Sequence, residues 1–161
     1  MLGVDPGLSA LGLAALGKRG RTCSILYLGT VRTSSGLAEA ARLRLLHDAI
    51  VEAIDAHRPD SVAIERIAWN TNQVSAMGVA RATGVALLAA AEAGLPVEEY
   101  GSLEVKMAVT GQGNADKAQV RDALERFHGF ADLPNEPDAV DAVAIALCHL
   151  TQSRLRTAAA R

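Results

Sequence analysis

The hydrophobic period of this chain first changes near residue 37, and that change restricts it to folds in which strands come first and strand–helix alternation follows. Leu2-Gly3-Val4 is a short apolar run stopped by Asp5-Pro6-Gly7, and Leu11 to Leu16 ends in the turn-forming stretch Gly17-Lys18-Arg19-Gly20. In a third strand Ile25, Tyr27 and Val31 share one face and Leu26, Leu28 and Thr30 the other, so both faces are expected to be covered. Three strands in succession predict a meander. From Leu37 to His57 the spacing is helical, with Leu43, Leu46, Ile50 and Ile54 on one side and Arg44, Asp48, Glu52 and Asp55 on the other, up to Arg58-Pro59.

The remainder alternates. Ser61 to Glu65 reads as a strand, the segment from Asn72 to about Ala93 as a long helix, Pro96 to Tyr100 as a strand, and Leu103 to Val109 as a short helix. Gly111-Gln112-Gly113 forms a flexible loop that delivers Asn114 as a helix cap. The helix after it carries Val120, Ala123, Leu124 and Phe127 as its core stripe and stops at Gly129. Pro137 suits the first turn of a last helix from Asp138 to about Thr151. With no repeat and no linker, the expectation is one domain over residues 1–151 and a polar tail over 152–161 containing Arg154, Arg156 and Arg161. The class is α/β, a mixed sheet with helices on both faces, and such sheets bind ligands beyond the carboxyl ends of their strands.

Half the residues are hydrophobic and 3% aromatic, so the core is aliphatic and a disordered or collagen-like chain is excluded. Cys23 and Cys148 offer neither a disulfide framework nor zinc spacing, which makes a reducing cytoplasm the expected compartment. No basic segment followed by an apolar one opens the sequence, and the apolar run Ala82 to Ala91 lies between Arg81 and Glu92. Neither a signal peptide nor a membrane span is expected. Only those two residues are charged in the long helix, so it is either the central core helix or a subunit interface.

Four carboxylates stand in informative places. Asp5 and Glu65 each end an apolar strand, although each would also serve as turn or surface chemistry. Asp138 and Asp141 are neighbours on one flank of the last helix, and Asp141 interrupts the apolar run Ala139 to Leu147, where a lone carboxylate is costly unless paired or bound to a cation. Helix-dipole complementation accounts for Asp138 but less well for Asp141, one turn deeper. Four acids without a His or Cys pair favour Mg²⁺ or Mn²⁺ over zinc. Two such ions about 4 Å apart activate water and stabilise a leaving oxygen in phosphodiester hydrolysis. They would also turn the formal charge of −2 positive, so a polyanionic substrate becomes tolerable.

The basic residues are scattered. Lys106, Lys117 and Arg121 flank the glycine loop, and Arg42, Arg44, Arg66 and Arg81 are further candidates for phosphate contacts, against the alternative of solvated helix faces. The loop lacks the ending of a Walker motif. Trp69, in a polar connection after Glu65, is suited either to stack on a splayed base or to pack on the rim. His47, His57, His128 and His149 show no metal spacing.

Gly-Val-Asp5-Pro-Gly, Ala-Ile-Glu65, the stretch from Gly111-Gln112-Gly113 through Lys117 to Val120, and Asp138-Ala-Val-Asp141-Ala-Val together resemble the RuvC Holliday-junction resolvases, colinearly to about Leu150. The resemblance implies a ribonuclease-H-like fold, a homodimer, and paired symmetric nicks across a four-way DNA junction. It maps the family's four acids onto Asp5, Glu65, Asp138 and Asp141 and its two functional lysines onto Lys106 and Lys117. It makes the helix over 72–93 the dimer helix and implies a branch-migration complex as partner. The family often carries an aromatic three positions after the glutamate. Here that position is Ala68 and the aromatic is Trp69. The alternatives are a related nuclease acting on RNA or other branched DNA, an actin-like nucleotide module suggested by Asp5-x-Gly7, for which 161 residues lack a second lobe, and a junction-binding scaffold without activity.

Overall fold

The computed structural model describes residues 1–20, 22–67 and 73–159. The elements are β1 (Leu2–Asp5), β2 (Ala10–Arg19), β3 (Thr22–Arg32), α1 (Glu39–His57), β4 (Val62–Glu65), α2 (Gln73–Glu92), β5 (Val97–Tyr100), α3 (Ser102–Thr110), α4 (Lys117–Arg126) and α5 (Pro137–Ala159). The sheet runs β3-β2-β1-β4-β5, antiparallel through the first three strands and parallel from β1 to β4 and β4 to β5. The expected meander followed by parallel strands is therefore present. The β2–β3 hairpin is longer than its sequence suggests. Gly17 to Arg19 stay paired with β3, and the reversal begins at Gly20, whose φ of 60° lies in the region glycine tolerates.

β3 departs from simple alternation. The ladder slips between Ala15/Tyr27 and Leu16/Ile25, leaving Leu26 as an extra residue that is 58% exposed. A bulge reverses which face later side chains occupy. Ile25 and Leu28 consequently pack with the cluster beneath α5, while Tyr27 and Val31 pack with the cluster beneath α1 and α2. β3 is an edge strand and its faces are only partly covered.

Helices occupy both faces, with α3, α4 and α5 on one side and α1 and α2 on the other. The central core helix is α5. Every residue from Ala139 to Cys148 is buried except Asp141. Two glycines let this helix lie directly on the sheet: a Cβ at Gly3 would collide with the Ala142 carbonyl oxygen, and one at Gly12 with the Asp138 carbonyl oxygen. α5 also continues to Ala159, past the expected stop near Thr151.

α2 turns its small residues inward. Ala82, Ala86, Ala89 and Ala90 are buried, whereas Met77, Leu87 and Leu88 face outward. Asp116, not Asn114, caps α4: its Oδ1 accepts from the Gln119 N–H at 2.9 Å while Gln119 Oε1 accepts from the Asp116 N–H at 2.9 Å. Phe127 falls outside the core stripe at 78% exposure, because α4 ends at Arg126 and Phe130 and Leu133 fill the interior instead. No helix among the described residues is long and apolar enough to cross a membrane.

Candidate active site

Asp5 and Glu65 end neighbouring parallel strands. The register Val4↔Ile64 places them side by side at the carboxyl edge of the sheet. On the other side of β1, Asp5 is paired with Gly12, against which the Asp138 backbone rests. The absent side chain at Gly12 thus brings the first turn of α5 to Asp5, and Asp141 follows on the next turn.

The four acids sense one another. The Asp5 carboxyl is pushed up to about 7, first by burial and then by Asp141, Glu65 and Asp138, with Lys117 opposing the shift. Glu65 is also raised, mainly by burial. A hydrogen bond with Ser102 counters that shift, Asp141 adds to it, and Lys117 and Lys106 oppose it. Lys117 is the opposing charge in direct contact, with Nζ donating to Asp141 Oδ2 at 2.7 Å, and this bond holds its ammonium above the usual lysine value. A cavity of about 240 Å³ contains Glu65, Ser102, Lys106, Lys117 and Asp141, so both candidate lysines open onto the acids. A second cavity, on the side of Pro6, Arg66 and Ile67, shares Glu65 and Ser102 as its wall.

The acids meet at one edge, but among the described residues no three His, Cys, Asp or Glu side chains are gathered closely enough to hold a single ion. The donor set nevertheless suits a hard divalent cation. It is all oxygen, and burial together with the neighbouring acids raises Asp5 to about 7, a cost that a bound cation would relieve.

The arginines sort differently from their sequence expectation. Arg121 donates to the Pro134 carbonyl at 2.6 Å and to the Leu133 carbonyl and pairs with Glu125 at 2.9 Å, so its guanidinium ties α4 to the following loop. Arg81 is similarly committed to Glu39, at 2.6 and 2.7 Å, joining α2 to α1. Arg42 binds Thr33 and Ser9, and Arg44 binds Asp48. Arg66 stays on the rim at 58% side-chain exposure, held by the Glu99 carbonyl at 3.0 Å with Glu104 at 3.8 Å. Trp69 lies outside the described residues. Sequence reasoning missed Ser102, whose signal was its position at the start of a helix directly after a strand's carboxyl end.

The model of the family "Crossover junction endodeoxyribonuclease RuvC" matches residues 1–149. The chain belongs to the RuvC family. A Frankia alni RuvC is 47% identical, with 99% of this chain and 83% of that protein covered, and one from Salinispora arenicola is 45% identical over 100% and 95%. Among solved structures, "T. thermophilus RuvC in complex with Holliday junction substrate" superposes with a TM-score of 0.90 at 34% identity, covering 97% of this chain and 95% of that one. The yeast mitochondrial resolvase Ydc2, at 12% identity and a TM-score of 0.68, shares the fold. The expected α/β, ribonuclease-H-like class is that of these RuvC structures.

Proposed function

We propose that Asp5, Glu65, Asp138 and Asp141 are the metal-binding and catalytic acids of this RuvC endonuclease, which resolves four-way DNA junctions by hydrolysing phosphodiester bonds. The observation that carries this reading is the convergence of acids from β1, β4 and α5 at the sheet's carboxyl edge, in a chain that matches the family over residues 1–149. The four carboxylates would hold divalent ions, Mg²⁺ or Mn²⁺ and two per site. When bound, such ions lower the pKa of water and stabilise the leaving oxygen.

The chain's own side chains do the rest. Asp5, mostly buried among three other acids, has its carboxyl raised to about 7, so a divalent ion competes with a proton for this ligand near neutrality. Ser102 hydrogen-bonds the Glu65 carboxylate and favours its ionised form against the effect of burial. Lys106 and Lys117, opening onto the same cavity, hold the scissile phosphate and offset the charge that grows on it. Arg66 contributes from the rim, and Trp69, four residues after Glu65 in the sequence, is the candidate to stack on a base.

α2 supplies the homodimer contact. Met77, Leu87 and Leu88 form an outward apolar face on a helix whose inner face is already packed, and a two-fold pair would give two equivalent sites for a two-fold substrate. The direct test is cleavage of a synthetic four-way junction with and without Mg²⁺, beside a linear duplex and a structured RNA. Symmetric, metal-dependent nicks confined to the junction are expected. Preferred cutting of RNA or of unbranched DNA would overturn the reading.

A further inference from the structure

Lys117 opens α4, and Asp141 belongs to α5, so their 2.7 Å contact bridges two helices across the mouth of the site. The two side chains differ in setting: Lys117 is 72% exposed and Asp141 29%. An ammonium thus reaches from solvent onto a largely covered carboxylate. The backbone at Lys117 is fixed by the capping box of Asp116 and Gln119, so movement of this cation is movement of the side chain alone. Lys106 lines the same cavity without an ion pair among the described residues. The contact coincides with the open arrangement of the acids, in which no three described ligand-type side chains are assembled.

We propose that Lys117 is the resident cation of the metal-free site, occupying Asp141 until a divalent ion claims that carboxylate and frees the lysine for a substrate phosphate. This rests on the reading of the four acids as metal ligands. The ammonium on Asp141 Oδ2 competes with an ion for the same carboxylate charge, because two cations held that close repel. Metal occupancy and phosphate capture are therefore coupled through one side chain. Without metal, the site has neither its full ligand set nor a released lysine, which keeps DNA from settling productively on an unloaded enzyme.

The test uses the full chain without DNA, titrated with Mn²⁺ and followed by electron paramagnetic resonance. Lys117→Met should bind Mn²⁺ about fivefold tighter than wild type, while Lys106→Met, which removes an equal charge from the same cavity, should change affinity by less than about twofold. Lys117→Gln provides a second neutral variant, and thermal melts confirm folding of each. Equal tightening by the two methionine variants would reduce the effect to general charge and overturn the proposal, as would wild-type affinity in both Lys117 variants. Asp5→Asn and Asp141→Asn separate the two levels. If they bind Mn²⁺ like wild type, the metal reading itself fails and this proposal with it; if they lose the ion while the Lys117 variants gain nothing, only the role of Lys117 fails. Amine-selective labelling read by mass spectrometry gives an independent readout: saturating Mg²⁺ should raise the reactivity of Lys117 and leave Lys106 unchanged, and an unchanged Lys117 would overturn the proposal.

Discussion

α5 and α2 are the two longest helices, each with an extended apolar run, and they have opposite fates. α5 is sunk into the core because Gly3 and Gly12 clear its path to the sheet, and the two acids of its first turns, Asp138 and Asp141, project to the sheet's edge. α2 lies on α1 through alanines and leaves its bulkier side chains outside. Hydrophobicity along a helix therefore does not say whether it is core. The size of the residues on each side, and the shape of the surface waiting for them, decide it.

The largest effect that would sharpen this contrast is chemical. Asp141→Asn on α5 should lower junction cleavage by about a thousandfold or more, roughly 4 kcal/mol of transition-state stabilisation, with junction binding held within a few-fold. Single-turnover cleavage and gel-shift titration measure the two, and near-normal cleavage in Mg²⁺ would remove Asp141 from the site. Next in size is the packing that seats α5. Gly12→Val puts side-chain atoms where the Asp138 carbonyl lies and should cost about 3 kcal/mol of stability, read by urea denaturation. A change under about 1 kcal/mol would mean that α5 can lift without penalty.

A third prediction follows from pH. The Asp5 carboxyl is raised from 3.8 to about 7, so the folded chain retains a proton that the unfolded chain has lost, and stability falls as pH rises between those values and then levels. Asp5→Asn should relieve this, raising the metal-free melting temperature by about 5 °C at pH 8 and leaving it unchanged at pH 3.5. An equal rise at both pH values would show that charge is not the cause. The smallest effect on the fold belongs to α2. Leu88→Glu should alter monomer stability by about 0.5 kcal/mol or less while converting dimer to monomer in sedimentation velocity. A variant that unfolds, or one that stays dimeric, would break the contrast between the two helices.

Much of this was legible in residues alone, for reasons that can be named. Asp5 and Glu65 stood at the ends of apolar strands, and Asp141 stood inside an apolar helix, where an unpaired charge needs a partner. What sequence could not supply was which glycine faces which helix. Gly12 reads as an ordinary strand residue, yet it sets the approach of Asp138 to Asp5. The bulge at Leu26 was invisible because alternation looks regular until the partner strand's register is known. Phe127 fitted the helical stripe, but its helix had ended one residue earlier. Arg81 and Arg121 illustrate the limit for surface charge. Their type suits phosphate, and only the fold shows that carboxylate and carbonyl oxygens of the protein have already taken them.

The acids sit on β1, β4 and α5, so the first and last of them are contributed by opposite ends of the folded unit. A ribosome-bound polypeptide carries Asp5 and Glu65 long before Asp138 and Asp141 emerge to complete the set. If the four acids act as proposed, a chain that ends before α5 lacks half of the set, and the capacity to cut arrives only with the last helix.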